Sequence, residues 1–357
     1  MLPPGLTHKN MQIPEGFTYD DVLLIPQKSF IDHRSDVSTK TKLTRSLNIH
    51  IPFVSANMDS VTEAGMEGQG GNPETGTAHM GTSSPAGEIP LRHEDWEKLN
   101  RVVHETAERY TVGRKFINVY GPLGTGVQCV PMDTYPAPSK ASIDMLGESN
   151  EAVHSLKRDI AHLPLIYKDF WLYWRDIEAA HKCETPLDVS AAVAAAIATA
   201  SREDDLIFNG SEETGTTGLL NTSNRQTVKI SDWSVVGNGF QDVVAATEKL
   251  YSTGFYGPYA LVLSPRLYAQ ISRVFDKTGR LEIEGIREIV KGGVHQSYAF
   301  KKDVALLVSM GSHNLDLALG TNPHVEYWGP ENLNHRFRVV ESAVLRVKCA
   351  QAICTVE

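Results

Sequence analysis

The chain has few cysteines, no long apolar run and no excess of positive charge, and each of these absences narrows its function. Its four cysteines are scattered without a Cys-x-x-Cys pair, which favours unpaired thiols in a reducing compartment over a bridge or a metal site. No apolar run reaches the roughly 18 residues of a membrane-spanning helix. The first residues lack the basic and apolar regions of a secretory signal. We therefore expect a cytoplasmic protein without a membrane partner.

The charge balance is acidic, with a formal net charge of −9 at pH 7. Such a chain exerts no broad attraction on a phosphate backbone, so a protein that wraps nucleic acid is not expected. Hydrophobic residues make up 41% of the sequence, which is enough for a substantial core.

Side chains capable of catalysis or metal binding are present, but they form no recognisable motif. None of the histidines belongs to a His-Glu-x-x-His pattern, and Ser264 lacks a Gly-x-Ser-x-Gly context. Two sets of carboxylates are interpreted as solvated helix faces, with cation binding as the alternative: Glu203, Asp204 and Asp205, and Glu282, Glu284 and Glu288. We expect no catalytic residue, no metal site and no bound cofactor.

A change of composition near residue 66 divides the chain. Residues 67–90 consist mainly of Gly, Pro, Ser, Thr and Glu and contain almost no large apolar side chains. Such a stretch buries too little surface to order itself, which predicts a flexible linker. It separates an N-terminal segment, residues 1–66, from a body formed by residues 91–357.

The body combines helical and strand patterns, which predicts an α+β fold. Its opening helix carries an apolar face with Trp96, Leu99, Val103 and Ala107. A helix over 186–208 is predicted from Thr185 as cap, Pro186 as first residue and a run of alanines. Further patterns predict helices over 240–252, 266–275 and 282–291, strands over 115–120, 259–264 and 305–309, a strand followed by a short helix within 165–180, and a strand-rich end over 313–357.

Residues 131–165 contain four prolines among charged and small residues and show no strong periodicity. A long segment of this kind is either a mobile loop or an extended arm that becomes ordered against a neighbouring subunit. Together with the absence of a catalytic motif, this segment favours a protein that packs against copies of itself.

The body resembles the shell proteins of encapsulin nanocompartments. The similarity runs in order through about 270 residues and is strongest in the segments Glu94-Asp-Trp-Glu-Lys-Leu-Asn100, Gly113-Arg-Lys-Phe-Ile-Asn-Val-Tyr-Gly-Pro122, Glu203-Asp-Asp-Leu-Ile-Phe-Asn-Gly210 and Leu263-Ser-Pro-Arg-Leu-Tyr268. Within the family, the similarity to the iron-storage encapsulins of myxobacteria extends to further segments, such as Ile166-Tyr-Lys-Asp-Phe170 and Pro186-Leu-Asp-Val-Ser190.

The resemblance implies the fold of tailed-phage major capsid proteins and assembly of many copies into an icosahedral cage. Residues 131–165 would be the extended E-loop, the 186–208 helix the spine of the peripheral (P) domain, and residues 233–320 the axial (A) domain. Family cages enclose cargo proteins that carry a targeting peptide, and the myxobacterial similarity predicts a ferritin-like iron-storage cargo. Any iron chemistry would belong to that cargo.

Two sets of site residues follow from the same resemblance. Cargo docking near the opening helix makes Trp96, Leu99, Val103 and Ala107 candidate docking residues, with ordinary core packing as the alternative. The A-domain loop at the five-fold axis corresponds to Lys277, Thr278, Gly279 and Arg280, which are candidate pore residues, with a plain surface turn as the alternative.

The N-terminal segment resembles a different family. Glu15-Gly-Phe-Thr-Tyr-Asp-Asp-Val-Leu-Leu-Ile-Pro-Gln27 and Ile51-Pro-Phe-Val-Ser-Ala-Asn-Met-Asp-Ser-Val-Thr-Glu-Ala64 are similar to the start of IMP dehydrogenases and GMP reductases. That family's barrel needs about 250 residues, and the similarity ends near residue 66, before the catalytic loops. We expect either a tethered extension inside the cage or a remnant of a gene fusion.

Two other functions are considered beside the nanocompartment shell. A true phage capsid protein has the same fold, but the acidic charge and the encapsulin similarity disfavour it. A truncated oxidoreductase of nucleotide metabolism is disfavoured because the catalytic loops of that family are missing.

Overall fold

The computed structural model describes residues 89–147, 152–183, 185–275 and 279–357, together with the backbone of 41–42 and 48–49. Contacts divide the chain into two units, Met1–Met80 and Gly81–Glu357. In the first unit, strands β1 (Thr41–Lys42) and β2 (Asn48–Ile49) pair antiparallel. The remainder of predicted segment 1–66, and the predicted linker up to residue 88, lie outside the described residues.

The second unit is a mixture of helices and strands, as the sequence of the body predicts. The helices of its described part are α1 (His93–Tyr110), α2 (Trp174–Cys183), α3 (Ser190–Asn209), α4 (Asn238–Ser252), α5 (Pro265–Ile271) and α6 (Glu282–Ile289). The strands are β3 (Asn118–Tyr120), β4 (Cys129–Thr134), β5 (Lys157–His162), β6 (Leu165–Leu172), β7 (Gly210–Ser211), β8 (Thr216–Thr217), β9 (Gln226–Val228), β10 (Tyr259–Leu263), β11 (Val294–Gln296), β12 (Ala305–Ser309), β13 (Leu315–Glu331), β14 (Asn334–Val347) and β15 (Ile353–Val356). None of the helices in these ranges is long and apolar enough to cross a bilayer.

A four-stranded sheet in the order β3-β13-β14-β6 forms the first layer. Strands β13 and β14 make a long hairpin joined by Asn332 and Leu333, whose φ angles of 51° and 68° suit a two-residue turn between twisted strands. Helices α1 and α3 pack on this sheet. Apolar side chains alternate along β6, where Ile166, Phe170 and Leu172 point inward, as expected for a strand with one buried face.

A five-stranded sheet in the order β11-β10-β12-β15-β9 forms the second layer, with α4, α5 and α6 beside it. Every residue of β10 and β12 is buried, which explains their continuous apolar sequences. A shared core links the two sheets, because Leu306 and Val308 of β12 and Leu317 of β13 belong to one cluster of buried side chains.

An extended arm leaves the body between β3 and β6. Strands β4 and β5 pair antiparallel from Cys129↔His162 to Thr134↔Lys157 and form a two-stranded ribbon, and residues 135–156 connect them. The sequence pattern of 131–165 revealed neither strand, because each strand of the ribbon has a single buried residue, Val130 or Ala161, which is too few to impose alternation.

The predicted start of the spine helix is wrong. Helix α3 begins at Ser190, and neither Thr185 nor Pro186 occupies the cap or first helical position. Leu187 is instead buried in the core, and Asp188 accepts a hydrogen bond of 2.9 Å from the backbone N–H of Ser190. Burial of Leu187 and this local turn override the helix-start signal of the sequence.

The predicted A-domain range differs from the extent of the second sheet. Strands β9 and β15 both join this sheet, although they lie outside residues 233–320. Residues 315–320 belong to β13 of the first sheet. The residues that form the second sheet are therefore not one continuous range, because its strands pair across large separations in sequence.

Candidate assembly interface

The connecting segment of the arm exposes several large apolar side chains. The exposed fraction is 98% for Ile143, 100% for Met145, 79% for Leu146 and 75% for Val153. Exposed apolar side chains in such number are unfavourable in water and are typical of an interaction site. The arm is thus shaped to pack against another surface.

The outer face of the four-stranded sheet carries a second exposed aromatic surface. The guanidinium carbon of Arg338 lies 3.9 Å from the ring centroid of Tyr167 and 3.8 Å from that of Trp328. Both rings are about half exposed, and Trp171 adds to the same face. Aromatic rings held against arginine are typical of the centres of protein interfaces.

Asp169 fixes the arginines of this surface. It accepts hydrogen bonds from Nε of Arg338 at 2.6 Å and from Nε of Arg336 at 3.1 Å. Hydrogen bonding from Arg338 lowers the pKa of Asp169, and the hydrogen bonds from Arg336 act in the same direction. The carboxylate therefore stays charged and holds Arg338 between its two rings.

A buried ionic network anchors the base of the arm. Asp316 accepts hydrogen bonds from Nε and Nη2 of Arg346 at 2.7 and 2.8 Å and from Nζ of Lys348 at 2.6 Å. The remaining nitrogen of Arg346, Nη1, donates to the carbonyl of Pro131 in β4 at 3.0 Å. Cavities of about 650 and 610 Å³ also lie at the arm base. The polar contacts of Arg346 therefore help to hold the base of the arm beside these two cavities.

The structure places most of the candidate docking residues in the protein interior. Leu99 and Val103 have no exposed surface and Ala107 is 2% exposed, while Trp96 is partly buried near Phe337. Core packing, the alternative considered from the sequence, describes Leu99, Val103 and Ala107 in this structure. A docking role stays a prediction, for which Trp96 has accessible surface.

Leu99→Ala is expected to lower the free energy of unfolding by about 2–5 kcal/mol, because it removes a fully buried side chain and leaves a cavity. Denaturant unfolding of the purified protein measures this loss. Lys98→Ala on the same helix, as a matched control, should change stability by less than about 0.5 kcal/mol. Equal stabilities of Leu99→Ala and Lys98→Ala would contradict the core assignment.

The candidate pore loop is only partly described. Lys277 and Thr278 lie outside the described residues, whereas Gly279 has a φ of 73° and Arg280 is exposed. At the loop base, the N–H of Phe275 donates to the carbonyl of Arg280 at 2.7 Å. This contact brings the two ends of the loop together, and the pore role stays a prediction.

The carboxylates of Glu203, Asp204 and Glu282 are not solvated, contrary to the sequence interpretation. Glu203 is fully buried and bonds to Nε of Arg114 at 2.8 Å. Asp204 accepts hydrogen bonds from the N–H of Gly113 at 2.9 Å, and Glu282 from that of Phe240 at 2.8 Å. Their partners lie 42 to 91 residues away in sequence, so pattern alone gave no signal. Asp205 is closer to the predicted solvated carboxylate, since it is only partly buried and pairs with the exposed side chain of Arg202.

Solved capsid structures share this architecture. A virus-like particle from Pyrococcus furiosus aligns with a TM-score of 0.61 at 21% identity, over 74% of this chain and 100% of that chain. The capsid of the Myoviridae phage XM1 aligns with a TM-score of 0.50 at 12% identity, over 67% and 88% of the two chains. The fold is therefore the α+β fold of phage major capsid proteins, and the predicted fold class is confirmed.

Sequence relatives narrow this class of capsid-like proteins to one family. The family model described as encapsulating protein for peroxidase matches residues 86–344. A diheme-cytochrome-encapsulin shell fusion protein from Kuenenia stuttgartiensis is 64% identical over 270 residues, 76% of this chain and 74% of that protein. The type 1 encapsulin shell protein EncA from Myxococcus xanthus is 48% identical over 271 residues, 76% of this chain and 94% of that protein. The chain belongs to the encapsulin shell protein family.

The N-terminal resemblance is confirmed as well. The IMP dehydrogenase / GMP reductase domain model matches residues 16–70 and no more of the chain. The match to this model ends at residue 70, and the match to the encapsulating-protein model begins at residue 86. Both residues lie within the predicted linker 67–90.

Proposed function

We propose that residues 91–357 form the wall of a closed icosahedral shell that encloses a cargo protein in the cytoplasm. The observation that carries the assembly proposal is the arm, whose apolar side chains have no cover within the protomer. Burying them against a neighbouring copy would stabilise the contact by about 1.5–3 kcal/mol for each large side chain. The arm then acts as the E-loop, and the Arg338 aromatic surface supplies a rigid contact area elsewhere on the wall.

The wall itself is proposed to have no enzymatic activity. Among the described residues, no group of three or more His, Cys, Asp or Glu side chains is placed to hold a metal ion. The buried carboxylates support the fold through Arg114 and backbone N–H groups. Chemistry would then belong to whatever the shell encloses.

A ferritin-like iron-storage protein is the cargo that we propose, on the similarity to the Myxococcus shell protein. The relative from Kuenenia is named as a fusion with a diheme cytochrome, which makes an electron-transfer cargo the competing candidate. Co-purified protein identified by mass spectrometry, together with its iron or haem content, distinguishes the two.

The N-terminal segment is proposed to be a fused extension of the wall. The Kuenenia fusion protein aligns over 74% of its length, so it too carries a large region beyond the shell match. A match of residues 16–70 is far shorter than the roughly 250 residues of a closed barrel. We therefore propose that this segment binds a partner or cargo rather than catalysing a dehydrogenase reaction.

Electron microscopy of the purified protein tests the shell proposal. The full chain, and a variant beginning at Met80, are both expected to give uniform hollow particles, because the wall elements all lie after residue 88. Soluble monomers or tetramers from both proteins would overturn the shell proposal. Unchanged cargo content in the shorter protein would instead overturn only the role proposed for the N-terminal segment.

A further inference from the structure

A buried cluster of ionisable groups joins three elements of the first layer. Glu203 of α3 and Glu341 of β14 have no exposed surface, and Asp204 of α3 is 5% exposed. Nη2 of Arg114, in the turn after α1, donates to Glu341 at 2.7 Å, while its Nε donates to Glu203 at 2.8 Å. Asp204 accepts hydrogen bonds of 2.9 to 3.0 Å from two backbone N–H groups of the same turn. We call these four residues the carboxyl clamp.

The charges of the clamp do not balance. Three carboxyl groups face one guanidinium, so full ionisation would leave two negative charges in the protein interior. Isolated buried charge is costly, and neighbouring carboxyl groups respond by retaining a proton. Oε1 of Glu341 is also fully buried and receives no hydrogen bond from the described residues. A proton retained on Glu341 lowers the excess charge.

Other charged groups act on the clamp from farther away. Lys115, in the same turn, favours the ionised form of Asp204, and Glu108 of α1 favours the charged form of Arg114. Lys115 therefore offsets part of the cost of ionising Asp204, but no second guanidinium contacts the carboxyl groups among the described residues.

We propose that the carboxyl clamp is a proton-dependent lock, which holds the end of α1 and its following turn against α3 when protonated and loosens as its protons are lost. The N–H groups of Val112 and Gly113 connect Asp204 to the backbone of that turn; they favour its ionised form and so offset part of the effect of burial. The carboxyl clamp thus makes the rigidity of the predicted docking helix depend on pH. A role of this rigidity in cargo docking rests on the proposed function, whereas the lock itself does not.

The direction of the pH dependence follows from burial. Burial raises the pKa of Asp204 to about 7. Burial, and next the neighbouring Glu203, raise the pKa of Glu341 well above its usual range. In an unfolded chain both groups titrate near pH 4. The stabilisation from each group is therefore complete below about pH 4 and is lost as pH rises, up to about 7 for Asp204 and up to the raised pKa of Glu341.

Hydrogen exchange of the full-length protein between pH 5.5 and 8.5 tests the lock. We express exchange as protection factors, which remove the intrinsic effect of pH. Protection of residues 111–117 is expected to fall at least about 15-fold between pH 5.5 and 7, since loss of the Asp204 proton changes the equilibrium roughly tenfold per pH unit up to its pKa of about 7.

Glu341→Gln separates the two groups, because it keeps an acceptor for Arg114 but cannot ionise. The fall in protection should remain, because Asp204 still titrates, but it should be shallower than in the unsubstituted protein, because the contribution of Glu341 is absent. Glu105→Gln, a substitution of an exposed carboxylate on α1, should behave like the unsubstituted protein. Constant protection of 111–117 across this pH range, or an unchanged fall in Glu341→Gln, would overturn the proposal. If Glu341→Gln fails to fold, the pH dependence of protection in the unsubstituted protein still decides.

Discussion

Replacement of Ile143, Met145 and Leu146 by serine is expected to abolish particle formation while leaving the protomer folded. These side chains are 79% to 100% exposed in the protomer, so their loss removes little from its own stability. In an assembled wall each would contribute about 1.5–3 kcal/mol when buried, or about 5–9 kcal/mol for each arm contact. Because every subunit of a closed shell repeats the contact, this loss acts on the whole assembly. Light scattering coupled to size exclusion measures particle mass, and thermal unfolding reports on the protomer.

The control for this variant lies in the same arm. Lys140→Ser and Ala141→Ser alter exposed positions without removing a large apolar side chain, so particles should still form. Normal particles from the triple serine variant would show that the exposed apolar side chains of the arm are not needed for assembly. Loss of the cooperative thermal unfolding transition of the protomer would show instead that these side chains support the fold.

Asp316→Asn is expected to lower the free energy of unfolding by about 3–5 kcal/mol. The substitution retains the size of the side chain but removes the negative charge that holds Arg346 and Lys348. Arg346 would then remain buried without its counter-charge, which is the costly way to break an ion pair. The arm should also loosen at its base, because the same guanidinium binds the carbonyl of Pro131. Denaturant unfolding measures the stability, and the yield of intact particles reports on the arm.

Glu178→Gln provides the comparison for a surface ion pair. Glu178 contacts Lys182 one helical turn away, and both side chains are largely exposed, so a change below about 0.5 kcal/mol is expected. Similar losses in Glu178→Gln and Asp316→Asn would contradict the anchoring role assigned to Asp316.

Local sequence patterns predicted the buried elements of the fold well. Ala305–Ser309 was expected as a strand from its continuous apolar sequence, and every residue of it is buried. Pro265 was expected to begin a helix, and Ser264 does cap that helix by accepting from the N–H of Leu267. In these places one short segment contains all the information that determines its conformation.

Features that depend on distant residues could not be predicted in this way. The burial of Glu203 requires Arg114, which lies 89 residues earlier. Arg338 is enclosed by Tyr167 and Trp328 because β6, β14 and β13 are neighbours in one sheet. The resemblance to encapsulins supplied the fold, but it did not specify these contacts. For the docking residues, helical periodicity identified an apolar face without showing that Leu99 and Val103 are covered.

The order of strands in the second sheet has a consequence for synthesis on the ribosome. Strand β15 lies between β12 and β9, although its residues follow the entire β13–β14 hairpin in sequence. The nascent chain therefore leaves this sheet unfinished, completes the β13–β14 hairpin of the other sheet, and returns to insert the strand that is missing between β12 and β9. Until residues 353–356 have emerged, β9 has no neighbour in the sheet and β12 has an open edge. Translation products that stop before this point would lack a completed sheet, which offers a means of keeping prematurely terminated chains out of a growing assembly.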